Sequence, residues 1–117
     1  CSSIGKCLLA CLERNELEEI LYSYDFVRHT EKTITEPDEL RKQLVDVRKN
    51  GWAMDDEEYQ KGHRCLGAPV FDYRGEALAA ISVSGYLPQL PNERINGICE
   101  RVRRTAADIS RSMGYTG

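Results

Sequence analysis

The chain has 117 residues, 41% of them hydrophobic and 30% charged, which is one domain's worth of material with no room for a second core. A net charge of −3 and a pI near 5.4 argue against nucleic-acid binding by this chain alone. There is no apolar run of about 18 residues to span a membrane and no basic-apolar-small signal peptide at the start. Five cysteines, at positions 1, 7, 11, 65 and 99, are an odd number without a CxxC pair. That pattern suits reduced thiols in a cytosolic protein better than a disulfide framework. The chain begins at Cys1 without a methionine and runs straight into a helical pattern, so it reads as cut from something longer.

In chain order, Ser2 or Ser3 can cap a first helix whose body is Gly5 to Leu12, with Ile4, Leu8 and Leu12 on one stripe. Asn15-Glu-Leu-Glu18 has the form of a capping box, followed by Ile20, Leu21 and Tyr24. Thr35-Glu-Pro37-Asp-Glu39 opens a third helix with a cap, an early proline and an acidic first turn. Leu40, Leu44 and Val47 are its apolar stripe, and Asn50-Gly51 is its stop. Trp52 to Met54 reads as a short strand. Asp55 to Glu58 reads as a loop, solvated in all but Asp55.

Cys65 to Phe71 and Ala77 to Ser84 are rich in apolar and β-branched residues, with Asp72 to Glu76 between them as a polar turn containing Gly75. Together they predict a β-hairpin. Alternation puts Ser82 and Ser84 on one face, where they are the only polar side chains of that strand beside Leu78 and Ala80. They form either a polar spot at the mouth of a concave site or an ordinary solvated strand end. Pro88, Pro91 and Asn92 then break the chain before a last helix, carried by Ile95, Ile98, Val102, Ala106, Ile109 and Met113 and ended by Gly114. The resulting order predicts an α+β fold, an antiparallel sheet covered by helices.

Several chemistries are weak in this sequence. Gly5-Lys6 has the end of a P-loop, but the earlier glycine is missing and Cys7 replaces Ser or Thr. Cys7, Cys11, His63 and Cys65 could be gathered into a zinc site, yet they lack the tight ligand pairs of closed zinc sites and suit small buried packing residues better. Cys65 and His63 share a strand face as nucleophile and base would, with no third group to orient them. Arg101, Arg103, Arg104 and Arg111 alternate with Glu100 and Asp108, which reads as a salt-bridged face or a subunit contact rather than a DNA stripe.

Five blocks of the sequence together resemble the C-terminal effector-binding domain of IclR-type bacterial transcriptional regulators. They are Ser3-Ile-Gly5-Lys6-Cys-Leu-Leu-Ala10, Gly51-Trp-Ala-Met-Asp55-Asp-Glu-Glu58, Gly62-His-Arg-Cys65-Leu-Gly-Ala-Pro69-Val-Phe71-Asp72, Ala79-Ala-Ile-Ser82-Val-Ser84-Gly85 and Ala107-Asp-Ile-Ser110-Arg-Ser-Met-Gly114-Tyr115. The resemblance implies a GAF-like domain occupying residues 1–117, the C-terminal portion of an effector domain whose first helix and strands precede Cys1. It also implies a winged helix-turn-helix further upstream, through which alone DNA would be bound, and assembly as dimers or tetramers.

By position, the resemblance further implies a small organic acid as ligand, held by Ser3, Ile4, Gly5, Asp55, Cys65, Ser82 and Ser84, with no cofactor, no metal and no catalytic residue. The residue types suit that role. Backbone N–H groups at a helix start attract a carboxylate, and serine hydroxyls donate or accept. The Cys65 thiol is a small polarizable wall, and Asp55 can accept from a hydroxyl. A hydroxylated 2-oxo acid, such as a keto-deoxy sugar acid, fits this set. The expected function is therefore the effector sensor of a repressor of a sugar-acid or related carbon catabolism pathway, in the cytoplasm; the alternative is a small cytosolic enzyme acting on oxo-acids through Cys65.

Overall fold

The computed structural model describes residues 2–117, so Cys1 lies outside the described residues. Helix α1 (Ser3–Ala10) starts at Ser2, whose backbone is extended and whose Oγ accepts the Gly5 N–H at 2.9 Å. Its buried residues are Ser3, Lys6, Cys7 and Ala10, while Ile4 and Leu8 are exposed and Leu12 lies beyond the helix. The expected Ile4–Leu8–Leu12 stripe therefore faces away from the core. Small side chains face inward because α1 lies close on the sheet. A Cβ on Gly67 would stand 2.9 Å from Ser3 Oγ and 3.2 Å from Ser3 Cβ.

Helix α2 (Arg14–Ser23) begins one residue before Asn15, with Glu13 as its N-cap, and has no side-chain cap bond. The expected capping box does not form, because the Leu17 N–H bond to Glu13 O already places Asn15 inside the first turn. Of its expected stripe only Leu21 is buried. Helix α3 (Pro37–Asn50) matches its sequence signals except for the cap, since Glu36 rather than Thr35 is the N-cap and makes no side-chain cap bond. Pro37 stands in the first turn with Asp38 and Glu39, Leu40, Leu44 and Val47 are buried, and Gly51 closes the helix at φ 80°.

Three strands follow, β1 (Ala53–Asp56), β2 (His63–Phe71) and β3 (Ala77–Tyr86), in an antiparallel sheet of order β1-β2-β3. Asp55 and Asp56 belong to β1, opposite Cys65 and Arg64, rather than to a loop. The turn begins only afterwards, with Glu57 at φ 59°. The hairpin turn at residues 72–76 is held by Asp72 Oδ1, which accepts the Arg74 N–H at 2.8 Å and the Glu76 N–H at 3.2 Å.

Two packed layers flank the sheet. On one face α1 touches all three strands and α3 backs it, in a core of Cys7, Ala10, Leu21, Leu40, Leu44, Val47 and Ala53. On the other face α4 (Asn92–Ser112) packs Val102 and Ala106 onto Ala68 and Val70. Ile109 and Met113 are exposed, and Ser110 takes the buried place at that end of the helix. Its Oγ donates to Ala106 O at 2.8 Å and accepts the Phe71 N–H at 2.9 Å, tying the end of β2 to α4. No helix among the described residues is long and apolar enough to cross a membrane.

Candidate functional site

Strand register assembles the polar residues. Asp55 pairs with Cys65, and Cys65 pairs with Ser84, so the three form one row across the sheet. Ala53, Gly67 and Ser82 form the next row. Because alternate strand residues share a face, both rows look toward α1. The helix confirms this with a direct contact, Ser3 Oγ at 2.8 Å from Cys65 Sγ. Ser82 and Ser84 are exposed, Cys65 is half-buried and Asp55 is buried.

The start of α1 adds donors to this face. The Gly5 N–H is used by the Ser2 cap and the Lys6 N–H by Ser2 O, which leaves Ser3 and Ile4 as the first-turn N–H groups without an intrahelical partner. Gly5 thus contributes space rather than a donor, and Ser2 Oγ occupies that space: a Cβ at Gly5 would lie 2.8 Å from it. Helix start and sheet face together carry donors at Ser3, Ile4, Ser82 and Ser84 and an acceptor at Asp55. That arrangement can hold a small molecule bearing both a carboxylate and a hydroxyl.

Asp55 to Glu58 are far from solvated. Asp55 Oδ1 accepts the Glu58 N–H at 2.9 Å, and Asp56 Oδ1 accepts from Arg64 Nε at 2.8 Å. Glu57 takes Lys32 Nζ at 2.8 Å and the Gly62 N–H at 2.9 Å. The Lys32 hydrogen bond, with that of Gly62, holds the Glu57 carboxyl below its ordinary value. Glu58 is 4% exposed and forms a buried ion pair with Lys6, Oε2 to Nζ at 2.6 Å. Lys6 also donates to Gln43 Oε1 and Met54 O, each at 2.7 Å. Thr33 Oγ1 donates to Glu58 O and Thr30 Oγ1 to Glu57 O at 2.6 Å, clamping the turn from the side.

Sequence reasoning missed this cluster, and also Gly67 under Ser3. The signal was the spacing of Ser3, Lys6, Cys7 and Ala10, which places a lysine on the inward stripe of an otherwise apolar helix.

Cys7 and Cys99 are packing residues in this geometry, whereas Cys11 is exposed. Cys7 and Cys99 are buried, and burial pushes their thiols up to about 12 and about 11. Among the described residues no group of three His, Cys, Asp or Glu side chains is placed to hold a metal ion. The recorded partner of Cys65 Sγ is the Ser3 hydroxyl, which is no general base, and the His63 ring packs edge-on against Tyr86 at 5.5 Å. Three of the four arginines singled out on α4 pair within the helix, Arg103 and Arg104 with Glu100 and Arg111 with Asp108, while Arg101 has no ion pair among the described residues.

An antiparallel sheet with helices on both faces and a polar row under a helix start defines an α+β domain of ligand-binding geometry without an aligned nucleophile and base. The chain belongs to the family described as bacterial transcriptional regulator IclR C-terminal, whose sequence profile matches residues 1–111. It is 39% identical to the HTH-type transcriptional regulator BhcR of Paracoccus denitrificans, over 96% of this chain and 40% of BhcR. It is 38% identical to the HTH-type transcriptional regulator KdgR of Escherichia coli, over 97% of this chain and 43% of KdgR. The chain thus spans less than half the length of these curated relatives. The crystal structure of the KdgR C-terminal domain matches with a TM-score of 0.88 over 97% of this chain and 70% of that one, at 38% identity. The inducer-binding domain of PobR from Acinetobacter, solved as a double mutant in complex with 3-hydroxybenzoic acid, matches at 0.84 and 27% identity over 93% of this chain and 63% of that one. The relatives named here are transcription regulators, not enzymes.

Proposed function

We propose that this chain, residues 1–117, is the larger, C-terminal portion of the effector-sensing domain of a bacterial transcription repressor. Its ligand is a small organic acid, bound by Ser3, Ile4, Asp55, Cys65, Ser82 and Ser84 with Gly5 giving room for the cap. The observation that carries this reading is the alignment of Asp55, Cys65 and Ser84 in one row beneath the free N–H groups of α1. The carboxylate sits at the helix start, where N–H groups and the positive end of the dipole favour an anion. Hydroxyls of the same molecule then meet Asp55, Ser82 and Ser84. This donor and acceptor set suits a hydroxylated 2-oxo acid, with a keto-deoxy sugar acid as the specific candidate. The PobR complex with 3-hydroxybenzoic acid supports an organic acid as ligand class.

The domain acts in the cytoplasm as part of a dimer or tetramer. Binding favours one arrangement of subunits and so changes the operator affinity of a winged helix-turn-helix attached to this domain. The shift is limited by the ligand's differential affinity for the two states, about 1–3 kcal/mol of coupling. The chain itself, at net charge −3 and with Arg103, Arg104 and Arg111 of α4 paired to acids, contributes no DNA contact.

Calorimetry with pyruvate, glyoxylate and 2-keto-3-deoxygluconate tests the reading. One acid of this class binds, and Ser84→Ala weakens it by about 0.5–1.5 kcal/mol. If none of the acids binds, or if the affinity of the binder is unchanged in both Ser82→Ala and Ser84→Ala, the ligand class or the location is wrong.

A further inference from the structure

A cavity of about 240 Å³ lies between α1, α2, the segment 24–34 and the start of α3. Its apolar wall is Leu9, Leu21, Tyr24, Phe26, Ile34 and Leu40; of the effector-site residues only Gly5 reaches its edge, and none of Ser3, Ile4, Asp55, Cys65, Ser82 and Ser84 lines it. Tyr24 and Phe26 meet edge to face at 4.8 Å, which gives that wall an aromatic surface. The polar end is formed by Lys6 and Glu58, together with Ser2 and Thr33.

The hydrogen-bond inventory at that end is lopsided. The Lys6 ammonium has three N–H bonds, and Gln43 Oε1, Met54 O and Glu58 Oε2 take all of them at 2.6–2.7 Å. Thr33 Oγ1 gives its proton to Glu58 O and accepts from the His29 and Thr30 N–H groups. Glu58 Oε1, by contrast, is buried and has no hydrogen-bond partner among the described residues. A buried carboxylate oxygen left unpaired is costly, so its environment calls for a donor. Lys6 has none left to give. The adjacent lysine already balances the charge of Glu58, so the donor belongs to a neutral group rather than to a second cation.

We propose that this cavity is a second ligand site, separate from the organic-acid row. Its ligand is a small neutral aromatic with a single hydroxyl, such as a phenol or an aryl alcohol. The ring fills the Tyr24–Phe26 end and the hydroxyl donates to Glu58 Oε1. The volume is at the small end for ligand pockets, which restricts the ligand to about one ring. An anion is disfavoured, because the unpaired polar atom at that end is itself a carboxylate oxygen.

The test uses p-cresol as probe and toluene, which lacks the donor, as its comparison. Saturation-transfer NMR and thermal shift are recorded on the purified protein. Binding of p-cresol is expected to be saturable and to raise the melting temperature, with toluene about tenfold or more weaker because Oε1 then stays unpaired. Ile20 lies at the cavity lining and is exposed, so Ile20→Trp narrows the cavity without disturbing the core. That variant is expected to lose p-cresol binding while its organic-acid binding is unchanged, a result that separates this site from the proposed effector row. The idea is overturned if p-cresol fails to saturate at millimolar concentration, if toluene binds as well, or if Ile20→Trp binds p-cresol like the parent protein.

Discussion

Asp55 Oδ1 accepts the Glu58 backbone N–H at 2.9 Å, so the carboxylate that stands beside Cys65 in the sheet also fixes the turn carrying the buried ion pair. One oxygen of Asp55 is committed to structure, and the proposed effector site gives the other to the ligand. The first of these duties is what makes an acidic residue tolerable in a buried position.

The first prediction separates those duties. Asp55→Ala removes the acceptor for Glu58 N–H and should cost about 1–3 kcal/mol of stability, the penalty of an unpaired buried donor. Asp55→Asn keeps a carbonyl oxygen in that place, so it should fold nearly as well as the parent while binding the organic acid more weakly. Ser84→Ala, at an exposed position, should change stability by less than about 0.5 kcal/mol. Urea denaturation and calorimetry on the same variants read both quantities. Equal stability of the alanine and asparagine variants would remove the structural duty from Asp55.

A second prediction concerns Lys6 and Glu58, 2.6 Å apart with side chains 4% and 6% exposed. Removing one partner strands a buried charge. Lys6→Met or Glu58→Leu alone should therefore cost about 3–5 kcal/mol, a large share of a domain's total stability. The pair changed together to Met and Leu should recover most of that loss, since an apolar pair of similar volume pays no desolvation. A double-mutant cycle by denaturant melts measures the coupling. Additive losses would mean that the pair does not act as a unit.

What the sequence made legible follows from which forces are local. Pro37, the acidic first turn and Gly51 mark α3 because caps and φ preferences depend on neighbouring residues alone. The hairpin from His63 to Tyr86 was legible for the same reason, with Gly75 at φ 81° in its turn. The face of α1 was misread because Ile4 and Leu8 look like the core by hydrophobicity. Close approach to the sheet instead selects Ser3, Cys7 and Ala10, and that distance is a tertiary property. Glu58 escaped notice for a related reason: its partner lies 52 residues away in the chain. The row of Asp55, Cys65 and Ser84 was named by resemblance, and only strand register shows that the three residues are cross-strand neighbours.

The close approach at Gly67 gives a third prediction. A methyl group there would stand 2.9 Å from Ser3 Oγ and 3.2 Å from both Ser3 Cβ and Ile81 O. Gly67→Ala should push α1 off the sheet and destabilise the protein by about 1–3 kcal/mol, as overpacking does. Because the displaced helix start carries the Ser3 and Ile4 N–H groups, organic-acid binding should weaken as well. Combining Gly67→Ala with Ser3→Ala removes only the hydroxyl contact, so it should recover part of the loss. A neutral Gly67→Ala in thermal melts would show that α1 sits less tightly than 2.9 Å implies.

The last prediction is the behaviour of the thiols with pH. Burial holds Cys7 and Cys99 protonated, up to about 12 and about 11 against an ordinary 9.0. Between these values the folded chain keeps protons that the unfolded chain has released, so stability must fall as pH rises. The contribution is fully present below about pH 9 and is lost as pH climbs through 11 and then 12, at about 1.4 kcal/mol per unit for each thiol inside its window. Denaturant melts at pH 8, 9 and 10 should show the decline beginning above 9, and Cys7→Ser or Cys99→Ser should flatten it. Labelling gives an independent readout, since only an accessible thiolate reacts. Cys11 is exposed and should react with iodoacetamide at pH 8 well before Cys7 and Cys99, although burial raises its thiol too. Modification of Cys7 at the rate of Cys11 would mean that α1 opens from the sheet in the native state.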